Sequence, residues 1–119
     1  VSGVTFSYDT GTVAIWTGSS TGGIKGAVDK AVETISTNAA FTLTPFQNAE
    51  YVKHTGTLTA DRALTLSTQS AVAGQRFRVT RTGSGAFNIT NALKNLATNT
   101  WADFIYDGSA WYLAAYGAL

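Results

Sequence analysis

One segment near the end of the printed sequence constrains the fold more than any other. The run from Trp101 to Gly117 places Asp107-Gly108 between two aromatic-rich segments, and Asp and Gly tolerate the positive φ angles of a tight turn. We therefore predict a β-hairpin with a two-residue turn, and a one-residue bulge at the turn would exchange the cross-strand partners. The predicted pairs are Tyr106–Ser109, Ile105–Ala110, Phe104–Trp111, Asp103–Tyr112 and Ala102–Leu113.

Both faces of this hairpin are apolar. The predicted core face holds Ala102, Phe104, Trp111 and Leu113. The opposite face holds Trp101, Ile105, Tyr112 and Ala114. Antiparallel sheets in soluble proteins usually leave one face polar, so something must cover the second face. We expect another copy of the chain to supply that cover.

The composition agrees with subunit contact. The 119 residues suit one domain, and only 13% of them are charged, against about 25% in an ordinary soluble domain. No apolar run approaches the roughly 20 residues of a membrane span. The net charge of +1 predicts no nucleic-acid partner, and the absence of cysteine excludes disulfides and thiolate metal sites. Position 1 is Val, so we expect a chain that is processed or cut from something longer.

The first half of the sequence contains the one predicted helix. Alternating apolar residues predict a hairpin within residues 1–17, and residues 18–23 are a flexible break. Apolar residues at helical spacing then predict a short α-helix over residues 23–36. Its stripe either packs on the sheet of its own subunit or meets other copies on a symmetry axis, because its spacing also fits coiled-coil core positions. The stripe includes Ile24, Val28 and Ile35.

The rest of the chain alternates as short strands. Residues 36–50 contain Pro45 and predict a connector with an edge strand, since proline lacks the donor that a central strand needs. Strands are then predicted at 51–58, 63–67, 75–82 and 86–90. In the third of these Phe77 and Val79 point inward and Arg76 and Arg78 outward, and in the fourth Phe87 and Ile89 point inward.

This pattern predicts a mainly β fold. We expect an antiparallel β-sandwich or rolled sheet with one short α-helix. We expect residues 1–50 to form an N-terminal hairpin, helix and connector that either holds an attachment region or merely precedes the module. Residues 51–119 form the antiparallel β-module.

Three segments of the second half carry a resemblance to a known family. They are TGTLTADRALTLS (55–67), GQRFRVTRTGSGAFNI (74–89) and the run from Leu93 to Leu119. Taken in order, they resemble the C-terminal β-module of bacteriophage and prophage tailspike, tail-fibre and virion-spike proteins.

The resemblance implies a non-enzymatic structural protein of a virion. Its partners would be itself, as a homotrimer, other virion proteins and a host cell-surface glycan, with no nucleic acid and no membrane insertion. It would serve for trimerisation and host attachment in a spike or fibre tip. No long repetitive β-helix precedes the module, so a capsid decoration protein (a head spike or cement protein) is an alternative, and a carbohydrate-binding module for a host envelope glycan is another.

The sequence offers no catalytic, metal or cofactor site. Glycoside hydrolysis needs a close pair of carboxylates, and the carboxylates that are neither on the predicted helix nor in turns, Glu50 and Asp103, are not linked in sequence. His54 has no second histidine at ligand spacing and is interpreted as a strand residue beside a turn.

Two sets of residues are predicted to make contacts. Arg76 and Arg78 either face solvent, contact a glycan or acidic partner, or pair with Asp61 or Asp103 across a subunit boundary. Aromatic side chains stack on sugars but bury large areas more often in cores and interfaces. The predicted oligomer interface consists of Trp101, Ile105, Tyr112, Tyr116, Ile24, Val28 and Ile35.

Overall fold

The computed structural model describes residues 32–119, which are mainly β and contain no helix. The hairpin predicted within residues 1–17 lies outside the described residues, as do Ile24 and Val28. The eight strands are β1 (Glu33–Ile35), β2 (Phe41–Leu43), β3 (Tyr51–His54), β4 (Arg62–Leu66), β5 (Arg76–Arg81), β6 (Ile89–Thr90), β7 (Thr100–Tyr106) and β8 (Trp111–Ala118).

The strands form two sheets. The larger sheet has the order β1-β3-β5-β7-β8 and the smaller has the order β2-β4-β6. Pairing is parallel from β1 through β3 to β5, and also from β2 through β4 to β6. The chain therefore winds as a coil, and each turn of the coil contributes one strand to the larger sheet and one to the smaller sheet. Only β7 and β8 pair antiparallel to their neighbours.

The mainly β class is confirmed, whereas the antiparallel sandwich is wrong for the first six strands. Turn residues between short strands were interpreted as hairpin turns, but they are corners at which the chain crosses to the other sheet. The sequence also gave no sign that the chain winds as a coil of parallel strands. Val52 pairs with Glu33, 19 residues earlier, and Val79 pairs with Val52, 27 residues earlier, so the turns have no fixed period.

The end of the predicted helix is also wrong, because Glu33–Ile35 forms strand β1. This strand pairs with β3, which sets Ile35 beside His54. The carboxylate of Glu33 accepts hydrogen bonds from the backbone N–H of Ala49 at 2.9 Å and from the Asn48 side chain at 3.0 Å. These contacts hold the segment extended, so tertiary pairing overrides the helical spacing of its apolar residues. Residues 33–43 consequently lie in the same two sheets as the residues after 51.

Glycines allow successive turns of the coil to stack closely. The backbone N–H of Thr55 donates to the carbonyl of Ile35, and that of Thr82 donates to the carbonyl of His54, each at 2.9 Å. Just after these bonds, a Cβ at Gly56 would collide with the Ser36 carbonyl, and one at Gly83 with the Gly56 carbonyl. Any side chain at either position would push the turns apart.

The core lies between the two sheets. Phe77, Val79 and Ile89 are buried there as predicted, whereas Phe87 is 45% exposed, contrary to the prediction. The predicted edge strand in the 36–50 connector is confirmed as β2, at the edge of the smaller sheet, with Pro45 after its end. The buried apolar cluster consists of Leu43, Val52, Leu58, Leu64, Phe77, Val79, Ile89, Leu96, Ala102, Phe104, Tyr106 and Trp111.

Candidate functional site

The terminal hairpin forms with a longer turn than predicted. Tyr106 pairs with Trp111, so four residues connect β7 to β8. Asp107 organises this turn, because its Oδ1 accepts hydrogen bonds at 2.8 Å from the backbone N–H groups of Ser109 and Ala110. Gly108 has the positive φ, 103°, that the Asp-Gly pair predicted. The two-residue turn and its set of cross-strand pairs are wrong.

A bulge in β8 shifts the register a second time. Phe104 pairs with Leu113 and Asp103 with Ala115, which leaves Ala114 without a partner on β7. The predicted core face nevertheless holds: Ala102, Phe104 and Trp111 are buried, and Leu113 packs against the core partly buried. These side chains stay on the predicted side of the sheet because both strands keep their alternation up to the bulge.

Trp111 anchors the hairpin to the core. Its ring centroid lies 5.5 Å from that of Phe77 and 5.2 Å from that of Tyr106. Its indole N–H donates to the carbonyl of Ser67 at 3.1 Å, so the polar atom of this buried ring has a partner. The contact ties β8 to the segment that follows β4.

The opposite side of the large sheet, which we call the outer face, is the candidate functional site. Strand alternation places residues of β3, β5, β7 and β8 there in three rows. The rows are Lys53–Thr80–Trp101, Tyr51–Arg78–Asp103 and Arg76–Ile105–Tyr112. Tyr51 is 47% and Tyr112 52% exposed, while Trp101 and Ile105 are half-buried. Aromatic and aliphatic groups from three strands, β3, β7 and β8, thus share one surface with the arginines and the threonine of β5.

An ion pair lies at the centre of this face. The Nε of Arg78 donates to Oδ1 of Asp103 at 2.6 Å, and its Nη2 donates to Oδ2 at 2.7 Å. The guanidinium carbon also lies 4.6 Å from the ring centroid of Trp101. The hydrogen bonds from Arg78 lower the pKa of Asp103 below its ordinary value, although burial acts in the opposite direction. The negative charge of Asp103 is therefore balanced by Arg78 of the same chain.

The positions of the predicted ion-pair residues follow from this geometry. Arg78 pairs with Asp103 of the same chain, so this pair does not need a subunit boundary. Asp61 accepts a hydrogen bond from the backbone N–H of Asn88 at 2.8 Å. Arg76 is exposed and points outward, as predicted, and Lys53 is the other exposed cation of the outer face.

A groove of about 410 Å³ opens at one end of the outer face. Tyr51, Lys53, Arg78 and Thr80 contribute to its walls, together with the exposed side chain of Leu119. Sequence reasoning missed the groove, because its walls come from segments far apart in the chain. The full lining is Val32, Tyr51, Val52, Lys53, Arg78, Thr80, Thr82 and Leu119.

Tyr116 and Ile35, the other predicted interface residues that the structure describes, lie elsewhere. Tyr116 pairs with Ala102 and so lies on the core side of the sheet, where it is 59% exposed and the Lys94 Nζ is 4.1 Å from its ring centroid. Ile35 packs partly buried against the core of its own chain. Only Trp101, Ile105 and Tyr112 are brought together on the outer face.

Two basic side chains are buried on the core side. Arg81 donates to the carbonyls of Phe87 at 2.6 Å and Leu96 at 2.9 Å, and so holds the segment after β5. His54 is adjacent to it in the register and contacts the Thr37 carbonyl through Nε2 at 3.1 Å. Burial lowers the pKa of both side chains. His54 is the last residue of β3, which confirms it as a strand residue beside a turn.

Within residues 32–119, no three histidine or carboxylate side chains come close enough to hold a metal ion. The same part of the chain has no helix that is long and apolar enough to cross a membrane. Comparison of the chain with protein-family models, with curated proteins and with solved structures finds no match.

Proposed function

We propose that the chain is a non-enzymatic structural protein of a bacteriophage virion. In this proposal it forms a homotrimeric spike or fibre tip module, located on a tail appendage or on the capsid surface. It holds subunits together, contacts other virion proteins and presents the assembly to the host surface. The proposal is supported by the three motifs that resemble virion-spike modules and by the character of the outer face.

One observation carries the assembly part of the proposal. The outer face displays Trp101, Ile105 and Tyr112 where an antiparallel pair normally turns polar side chains to water. The Asp103 carboxylate is already paired with Arg78 within the chain, so a subunit contact that buries both residues would not bury an unpaired charge. Aromatic residues and arginine are also the types enriched at subunit interfaces. We therefore place the subunit contact on this face, with Ile24 and Val28 as further predicted contributors.

The test compares side chains on the outer face with an equally exposed apolar side chain elsewhere. Trp101→Ala and Tyr112→Ala should weaken association by about tenfold or more each, because interface aromatics are frequent hot spots. Val72→Ala is the matched control, since Val72 is 55% exposed in the turn before β5 and is not part of this face. Sedimentation equilibrium at several concentrations gives the association constants. Equal constants for all three variants and the wild type would remove the outer face from the interface.

The groove favours a second function, recognition of a host envelope glycan. Tyr51 offers a half-exposed aromatic ring, and Lys53, Thr80 and Arg78, which carry polar groups, also line the groove. Aromatic rings combined with oriented polar groups are what a carbohydrate site requires. A glycan array covering capsule and lipopolysaccharide fragments tests this function. Binding that is lost in Tyr51→Ala and kept in Val72→Ala would support it, and no binding by the wild type would leave assembly alone.

A further inference from the structure

Strand β8 lies at the edge of the large sheet. It runs from Trp111 to Ala118 and pairs with β7 along one side only. Along its other side, residues 112–118 make no backbone hydrogen bond to any other part of the described chain. An edge of this kind presents unpaired N–H and C=O groups that can template another strand.

This edge has few of the features that protect exposed strands. Soluble proteins guard their edges with short strands, charged side chains, prolines or bulges. β8 has eight residues with no charge and no proline, and the bulge at Ala114 is the one such feature that it carries. β1, at the opposite edge of the same sheet, has only three residues. The two edges of the sheet are therefore unequal, and β8 is the one prepared for pairing.

We propose that β8 pairs antiparallel with β8 of a second copy of the chain, about a two-fold axis near Ala114 and Ala115. The strand is complementary to itself in this register. Tyr112 would lie opposite Gly117 of the second copy, and Leu113 opposite Tyr116, so bulky residues face small or aliphatic ones. Both pairs keep their sides of the sheet, since Tyr112 and Gly117 lie on the outer face and the other two on the core side. No charge is brought into the seam.

The chain already contains one contact of the same kind. Within the subunit, Trp101 is the cross-strand partner of Gly117, and a Cβ there would lie 3.0 Å from the indole nitrogen. Gly117 thus accommodates an aromatic ring on its β7 side, and Tyr112 of the second copy would supply one on the free side. Edge pairing joins the free backbone groups of β8, whereas the proposed outer-face contact joins side chains. Tyr112 takes part in both contacts, but Ala114 belongs only to the edge and Trp101, on β7, only to the outer face. Failure of one contact leaves the other measurable.

A charge at the centre of the seam tests the inference on the full chain. Ala114→Lys adds a cation at the exposed bulge position, where it has no β7 partner to disturb and where two copies would meet. Ser109→Lys is the control, because Ser109 is exposed in the turn beyond the strand. The first variant should weaken edge association about tenfold by like-charge repulsion, while the control leaves it unchanged. Sedimentation equilibrium gives the constants, and circular dichroism establishes that each variant is folded.

Hydrogen exchange of the peptide that covers β8 supplies the second readout. The wild-type amides should exchange more slowly as concentration rises, and Ala114→Lys should remove that dependence. Should Ala114→Lys not fold, Tyr116→Ser serves instead, since it removes the apolar contact to Leu113 of the second copy. Exchange that is equally fast at all concentrations would overturn the inference. So would protection of the outward-pointing amides of β8 that persists in the dilute monomer, because the chain would then cover its own edge, whereas the amides bonded to β7 are protected in either case.

Discussion

Replacing Trp111 with alanine should strongly destabilise the subunit. The side chain is 8% exposed and its ring contacts Phe77 and Tyr106. A tryptophan buries about 150–250 Å², and at about 25 cal/mol per Å² this corresponds to about 4–6 kcal/mol as an upper bound. Alanine retains a small part of that area, so the expected loss is about 3–5 kcal/mol. A domain with a total stability of about 5–15 kcal/mol would lose a large fraction of it.

The neighbouring residue provides the control. Tyr112 is on the same strand but faces outward, so Tyr112→Ala should change the unfolding free energy of the isolated subunit by less than about 1 kcal/mol. The loss of unfolding free energy in Trp111→Phe should lie between the losses in Trp111→Ala and Tyr112→Ala, because phenylalanine keeps a ring in the core but loses the hydrogen bond to Ser67. Urea unfolding followed by circular dichroism gives the free energies. It should be repeated at several protein concentrations, since association adds to apparent stability. A loss below about 1 kcal/mol for Trp111→Ala would refute the packing of this ring.

Three further changes test other parts of the structure. The unfolding free energy should fall as pH drops below about 6.5, because burial lowers the pKa of His54 and the unfolded chain then binds more protons than the folded one. His54→Gln should flatten this pH dependence in urea titrations between pH 7 and 5. An unchanged pH dependence would assign it to other groups. Arg78→Lys should lower the unfolding free energy only slightly, because the pair with Asp103 is partly solvated, and a loss as large as that of Trp111→Ala in the same assay would show that its environment is far drier. Gly83→Ala should lower the thermal midpoint clearly more than Gly74→Ala does, since a Cβ at 83 meets the backbone of the turn below, whereas one at 74 meets nothing and adds only the strain of a positive φ of 91°; equal shifts would contradict the stacking of the turns.

The sequence predicted the strands and their inward faces better than their pairing. Alternation in β5 and the aromatic run of β7 and β8 identified the core residues, because side-chain periodicity depends only on the local backbone. Parallel pairing depends instead on which distant segments meet, and unequal turn lengths hid it from the sequence. The prediction that residues 33–36 end a helix was wrong for the same reason, since pairing with β3 and the contacts of Glu33 fix Glu33–Ile35 as a strand.

The candidate site was predicted in part. The two-sided hairpin indicated Trp101, Ile105 and Tyr112, and the structure places these three on one face. Tyr116 was assigned without knowledge of the bulge in β8, which places it on the core side. The partnership of Arg78 with Asp103 was one of several that the sequence left open. Choosing among them required the β5–β7 register, which sets the two residues opposite each other.

The molar mass of the wild-type chain in solution tests the central claim most directly. Light scattering at micromolar concentration should give three times the subunit mass of 12.5 kDa, or a multiple of that trimer where β8 edges pair. A stable species of 12.5 kDa across that range would leave the aromatic side chains of the outer face in water and would contradict the account.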